Sequence, residues 1–258
     1  MVVSQPIPSA GRLALAGRRP AGARPAEPVQ VIFTLSSPPW TAVAGKIERM
    51  VRLRVRIRFS KQGDLRLIGH RDLMRCLERL FRRAHLALGM SQGFHPKPRL
   101  TFPLALAVGI EGLDEVMELE LAETLTGEEI LKRLRAQAPA GLTFHSAEVL
   151  PDGCSKARIG SASYEAPIPS ACRPGLRERI ERLLAAATWP VARPRHPRPI
   201  DLRPLLLELA LRDGVLAMRL RIDARGSVGP REVLAALGLV DLEGRGVRLR
   251  RSAVEVCA

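Results

Sequence analysis

Four arginines alternate with three aliphatic residues in Arg52-Leu53-Arg54-Val55-Arg56-Ile57-Arg58. Strict alternation of this kind fits an extended strand, which sends successive side chains to opposite faces. Leu53, Val55 and Ile57 then face a core, and Arg52, Arg54, Arg56 and Arg58 face away from it. A strand needs neighbours, and these neighbours must tolerate a row of guanidinium groups. Residues 115–123 meet that demand: Met117, Leu119 and Leu121 alternate there with Val116, Glu118 and Glu120. If the two strands lie side by side, Glu118 and Glu120 sit opposite the arginines, each pair contributing about 0.2–1 kcal/mol.

The intervening and following segments complete a pattern. Residues 72–86 carry Leu73, Leu77, Leu80 and Ala84 at helical spacing, with Arg75, Arg79, Arg82 and Arg83 largely elsewhere. Residues 99–106 are expected to form a strand. Thr126-Gly127-Glu128-Glu129 is a capping box for a helix to residue 136. A last strand is expected over residues 142–150. The order is β-α-β-β-α-β, which defines a ferredoxin-like unit.

The second half repeats that order without repeating the sequence. A strand is expected at 163–168, and a helix follows Pro174. Residues 190–204 form a Pro- and Arg-rich connection. Asp213-Gly214 joins two strands as a hairpin. A short helix is expected over 230–237, stopped by Gly238, and a closing strand over 247–256. The expected fold is therefore α+β, two tandem ferredoxin-like (βαββαβ) units with antiparallel sheets. They occupy residues 50–150 and 163–258 and meet around 151–162. Residues 1–49 hold seven prolines and little periodicity, so they are expected to be disordered or poorly ordered. The alternative for that segment is a short added strand at 29–34.

Charge is distributed unevenly. Residues 50–100 hold 11 Arg and 2 Lys against three acids, a net of +10, whereas residues 101–150 carry a net of −6. The whole chain is +15. A basic surface of this strength suits a polyanion such as RNA. The competing reading pairs the basic and acidic stretches within the fold. Aromatic residues are 3% of the chain, so a broad base-stacking platform is excluded. Cys76, Cys154, Cys172 and Cys257 form no CxxC or CxxxCxxC group, which argues against a cysteine-held zinc or iron–sulfur centre. Their scatter fits a reducing, cytoplasmic setting, and no apolar run is long enough to cross a membrane. No cofactor in this chain is expected.

Residues 91–98, Ser91-Gln92-Gly93-Phe94-His95-Pro96-Lys97-Pro98, form the most unusual loop. Pro96 and Pro98 fix their own backbone angles and restrict their predecessors, so the loop is expected to be rigid and to present His95 and Lys97. Phe94 is a candidate plug for the core. His70 and His95 could form an acid–base pair. The competing role for His70 and Asp72 is to satisfy free amides at a helix start.

The turn Lys61-Gln62-Gly63, the helix start Gly69-His70-Arg71-Asp72, the Arg-rich stretch 78–84, the loop Ser91 to Pro98 and the later Asp201-Leu202-Arg203-Pro204 together resemble the radical-SAM-associated (radical-SAM-linked) bacterial domain family of unknown function. The resemblance covers about residues 51–255. Gly69 stands where that family carries serine. The resemblance implies a partner, a separately encoded radical SAM protein. Without the CxxxCxxC motif, this chain is expected to be accessory to it.

Three functions follow as expectations. The first is a non-catalytic RNA-binding module, its phosphate contacts made by Arg75, Arg79, Arg82, Arg83 and Lys97. The second is a metal-independent RNA-processing or modifying enzyme using His70 and His95, with Asp72 beside them. The third is a protein-interaction scaffold. Expression from Met50 is predicted to leave cooperative thermal unfolding unchanged. A melting temperature lowered by many degrees would contradict that expectation.

Overall fold

A computed structural model describes residues 52–193, 196–223 and 226–257. The expectations for residues 1–49, including a strand at 29–34, lie outside the described residues. All described residues belong to one compact unit, residues 48–258. The fold is α+β, with four helices and a mainly antiparallel sheet among the described residues.

In the first half, β1 (Leu53–Lys61) leads through a 3₁₀ turn (Gly63–Leu67) into α1 (His70–Arg83). Then come β2 (Leu100–Thr101), β3 (Glu111–Leu121), α2 (Gly127–Gln137) and β4 (Leu142–Val149). Their order across the sheet is β4-β1-β3-β2, with every neighbouring pair antiparallel. The aliphatic face of β1 is the buried one. Val55, Ile57 and Phe59 pack under Leu73, Leu77, Leu80 and Phe81 of α1, with Ile130 and Leu134 of α2. The Thr126 hydroxyl accepts a hydrogen bond from Glu129 N and the Glu129 carboxylate accepts one from Thr126 N, so both expected halves of the capping box form. Gly127 is required by a close approach, since an added Cβ would lie 2.1 Å from the Ala147 carbonyl.

The second half contains β5 (Arg158–Pro167), α3 (Leu176–Ala185), β6 (Pro190–Arg193), β7 (His196–Asp201), β8 (Leu206–Arg212), β9 (Val215–Asp223), β10 (Gly226–Ser227), α4 (Pro230–Ala236) and β11 (Arg250–Cys257). Four of these strands take the order β11-β5-β9-β8, again antiparallel throughout. Asp213 and Gly214 turn the β8–β9 hairpin with φ of 49° and 77°, the left-handed pair a two-residue turn requires. A second core holds Tyr164, Leu183, Met218, Leu220 and Val233.

β3 and β5 begin earlier than foreseen, at Glu111 and Arg158, the latter inside the joint expected at 151–162, and two further segments depart more strongly. The strand foreseen at 99–106 shrinks to Leu100–Thr101. Farther along, the edge of β3 is taken by β11, which runs parallel to it at Arg250–Glu111 and Arg251–Gly112. The carbonyls of Leu104 and Ala105 accept instead from the Arg251 guanidinium. The connection foreseen at 190–204 contains a separate two-stranded ladder, β6 with β7. Prolines are tolerated there because an edge strand does not need every N–H.

The β11–β3 pairing makes one nine-stranded sheet from both halves. At this seam lies a sealed ion cluster. Arg251 is 1% exposed, Glu115 2% and Lys61 2%. Arg251 meets Glu115 through two hydrogen bonds, Nε to Oε1 at 2.7 Å and Nη2 to Oε2. Glu115→Ala would leave a buried guanidinium without its counter-charge, and is predicted to cost about 3–5 kcal/mol. Replacing both residues with apolar ones of similar volume should recover most of that loss. Chemical denaturation of the single and double variants measures both, and a loss below about 1 kcal/mol for Glu115→Ala would contradict the assignment.

Candidate nucleic-acid interface

The arginine strand does not present its charge to solvent as a free surface. Across the β1–β3 ladder, Arg54 stands opposite Glu120 and Arg56 opposite Glu118. Glu118 accepts from Arg56 at 2.9 Å and from Arg54 at 3.1 Å, and Asp114 pairs with Arg58 at 2.5 Å. Arg54 also donates to the carbonyls of Cys154 and Ser155, and Ala157 N donates to Glu118. These contacts hold the crossover from β4 to β5.

The other acids of β3 and its end are engaged as well. Glu111 pairs with Arg250 at 3.4 Å and Arg248 at 3.6 Å, Glu115 with Arg251, Glu120 with Arg99 at 3.4 Å, and Glu123 with Arg133 at 3.6 Å. None of these partners comes from α1. Helical geometry gathers Arg71, Arg75, Arg79 and Arg82 on the side of α1 opposite Leu73, Leu77 and Leu80. All four are exposed. Arg75 meets Asp72 at 3.5 Å on the surface, and Arg83 donates to the Gln137 carbonyl at 3.2 Å. Arg79 and Arg82 have no ion-pair or hydrogen-bond partner for their side chains among the described residues. The same is true of the exposed Lys97 side chain.

The proline loop is tied at its stem. Ser91 N donates to the Lys97 carbonyl at 2.8 Å, and Lys97 N donates to Ser91 Oγ at 2.9 Å. Arg99 Nε reaches the Met90 carbonyl at 3.2 Å, and Met90 bridges to Pro98. Gly93 turns the tip at φ 126°. Phe94 is fully exposed and does not plug the core. The core beneath is already filled by Phe59, Phe81 and Phe144.

His70 lines a small cavity that His95 does not reach. His70 stands edge-on to Phe102, ring centres 5.2 Å apart, at this cavity, which is also lined by Phe59, Lys61, Leu73, Leu104, Leu106 and Glu115. His95 is exposed on the loop. The capping role foreseen for His70 and Asp72 is not what the helix start uses. Gly69 is the cap residue and makes no side-chain bond, while Asp72 turns to Arg75. Asp72 still lies in the first turn, where the helix dipole favours a negative charge.

Asp201, Arg203 and Pro204 fasten the β6–β7 hairpin. Asp201 Oδ1 accepts from Trp189 N and Arg203 N, and Arg203 donates to the carbonyls of Leu184 and Leu206. Pro204 lies in the 3₁₀ turn that follows.

Lys61, Glu115 and Arg251 were not anticipated as a group. Parity along the strands could have found two of them: Lys61 has the parity of Val55, Ile57 and Phe59, and Glu115 that of Met117 and Leu119. Lys61 Nζ donates to the Ile68 carbonyl at 3.0 Å and so braces the turn before α1. Burial lowers its pKa; Glu115 opposes that shift and Arg251 adds to it. A lysine with a depressed folded pKa penalises folding most below that value. The penalty is relieved as pH rises toward the unfolded value near about 10.4. The wild type is therefore predicted to gain stability relative to Lys61→Met between neutral and alkaline pH. Denaturation of both proteins from pH 7 to 10 tests this, and parallel pH profiles would contradict it.

Among the described residues, no helix is long and apolar enough to cross a membrane. Among the same described residues, no cluster of three His, Cys, Asp or Glu side chains is arranged to hold a metal ion. No curated protein matches the chain. A solved structure described as an unknown protein from Galdieria sulphuraria is similar at 13% identity, covering 81% of this chain and all of its own. Its TM-score of 0.27 is too low to bear on fold or function. The family model described as "Uncharacterized protein conserved in bacteria (DUF2344)" matches residues 54–230, more than half of the chain, and the chain belongs to that family.

Proposed function

We propose that this protein is a non-catalytic RNA-binding accessory module that acts with a separately encoded radical SAM enzyme in RNA modification or maturation. Its frame in this reading is a pair of ferredoxin-like units. With the β6–β7 ladder and β10 set aside as additions, the second half follows the β-α-β-β-α-β order of the first, and β11-β5-β9-β8 repeats the arrangement β4-β1-β3-β2, which supports that frame. The radical SAM partner rests on the motifs at Lys61, His70, Ser91 to Pro98 and Asp201 to Pro204.

One observation carries the RNA reading. Every acid between Glu111 and Glu123 has a basic partner outside α1, so the arginines of α1 are not spent on internal neutralisation. An exposed row of cations on one helix face, followed in the chain by Lys97, suits contacts to phosphate oxygens. Such contacts position a strand without reading its sequence. Arg83, tied to Gln137, is a weaker contributor than Arg79 and Arg82.

Replacing Arg79, Arg82 and Lys97 together with Gln is predicted to weaken binding to single-stranded RNA. The log–log salt dependence should fall by about 0.7 per lost phosphate contact, about 2 in all. Thermal stability should change little, since exposed charges contribute little to folding. Titrations against salt alongside thermal melts provide the check. An unchanged salt slope would remove this surface from the assignment, and a large loss of stability would return the arginines to a folding role.

A further inference from the structure

The loop between α1 and β2 holds an aromatic side chain in an unusual state. Phe94 is 103% exposed. Phe59, Phe81, Phe144 and Tyr164 are buried, and Phe102 and Trp189 are half-buried against the two cores. Phe94 is thus the one aromatic among the described residues that stands wholly in solvent. It does so on a loop whose stem is closed by the Ser91–Lys97 hydrogen bonds and whose flank is stiffened by Pro96 and Pro98. A ring held out on a stiff loop loses little conformational freedom when something docks on it.

The surroundings indicate what that partner is. Residues 91–98 contain no acid, and the ring is followed by His95 and Lys97, both exposed. Gln92 and His95 give the tip a polar rim, and the exposed Lys97 side chain has no ion-pair or hydrogen-bond partner among the described residues. An accessible π-face beside a cation matches a nucleic acid strand, whose bases stack and whose phosphates are anionic. A base inside a duplex already has both faces covered, so the ring suits an unpaired one.

We propose that Phe94 is the stacking platform for one unpaired base of the bound RNA, with Lys97 holding the backbone beside it. This inference rests on the RNA-binding reading and adds to it a preference for single-stranded or looped targets. Phosphate contacts from α1 supply strength that is indifferent to strandedness, and the loop supplies the discrimination.

The test uses the full chain and a short single-stranded RNA carrying 2-aminopurine, with a duplex of the same sequence as comparison. Phe94→Ala should weaken single-strand binding by about 5- to 150-fold, the range for loss of one stacked base. It should leave the salt slope, the duplex affinity and the thermal melt unchanged. Phe94→Trp should retain binding and quench the 2-aminopurine signal at least as strongly as wild type. Phe94→Leu keeps apolar bulk without an aromatic face and should behave like the alanine variant. Wild-type affinity in Phe94→Ala, or full rescue by Phe94→Leu, would overturn stacking; the latter would reduce the ring's role to apolar bulk. If wild type binds RNA with the expected salt dependence while Phe94→Ala is silent, only this inference falls. If wild type binds no RNA, the broader reading falls and takes this one with it.

Discussion

The bidentate contact between Arg251 and Glu115 is the interaction on which the arrangement of the two halves depends. The residues are 136 positions apart in the chain and nearly sealed from water. Burying either charge alone would be costly, so each enforces the presence of the other. The remaining Arg251 donors reach the carbonyls of Leu104 and Ala105, which satisfies a stretch of backbone that no strand covers. That stretch places Phe102 on the first core and Leu104 and Leu106 on the second. One side chain thereby secures β11, β3 and the segment that bridges the cores.

The same economy of charge decides which surface is available. β3 acts as a counter-charge strip through the middle of the molecule. Its acids meet arginines from β1, from β11, from the residues flanking β2 and from α2. Had α1 supplied those partners, the basic helix would be an internal element with no surface charge to offer. Because other segments supply them, Arg79 and Arg82 remain in solvent. Net charge alone could not separate these cases, since both give the same total for residues 50–150.

Much of this was legible in the chain. Period-2 alternation identified β1, and the opposition of its arginines to Glu118 and Glu120 appears in the register. Thr126 with Glu129 marked the start of α2, and Asp213-Gly214 marked a hairpin, because both signals are local chemistry. What could not be read was set by distant partners. The strand expected at 99–106 has suitable composition, but β11, far away in sequence, takes the edge it would have extended. Phe94 was a reasonable core plug by hydrophobicity. It stands in solvent, and the aromatic places of the first core are taken by Phe59, Phe81 and Phe144. Lys61 and Glu115 are instructive in another way: their strand parity pointed inward, while their charge pointed outward, and parity prevailed because Arg251 and the Ile68 carbonyl were there to receive them.

The position of β11 has a consequence for how the chain is made. Of the described strands this one is synthesised last, yet in the finished sheet it lies between β5 and β3. Until it arrives, the exposed side of β5 and part of the β3 edge lack a partner, and Glu115 has no guanidinium. Before residues 250–257 are made, the nascent chain therefore carries open strand edges and an unmatched carboxylate, the condition in which chains pair wrongly with one another. The gap between β5 and β3 closes only when residues 250–257 enter it. A message truncated just before them would yield a product that keeps most of its helices and strands but lacks the central strand joining the two halves of its sheet.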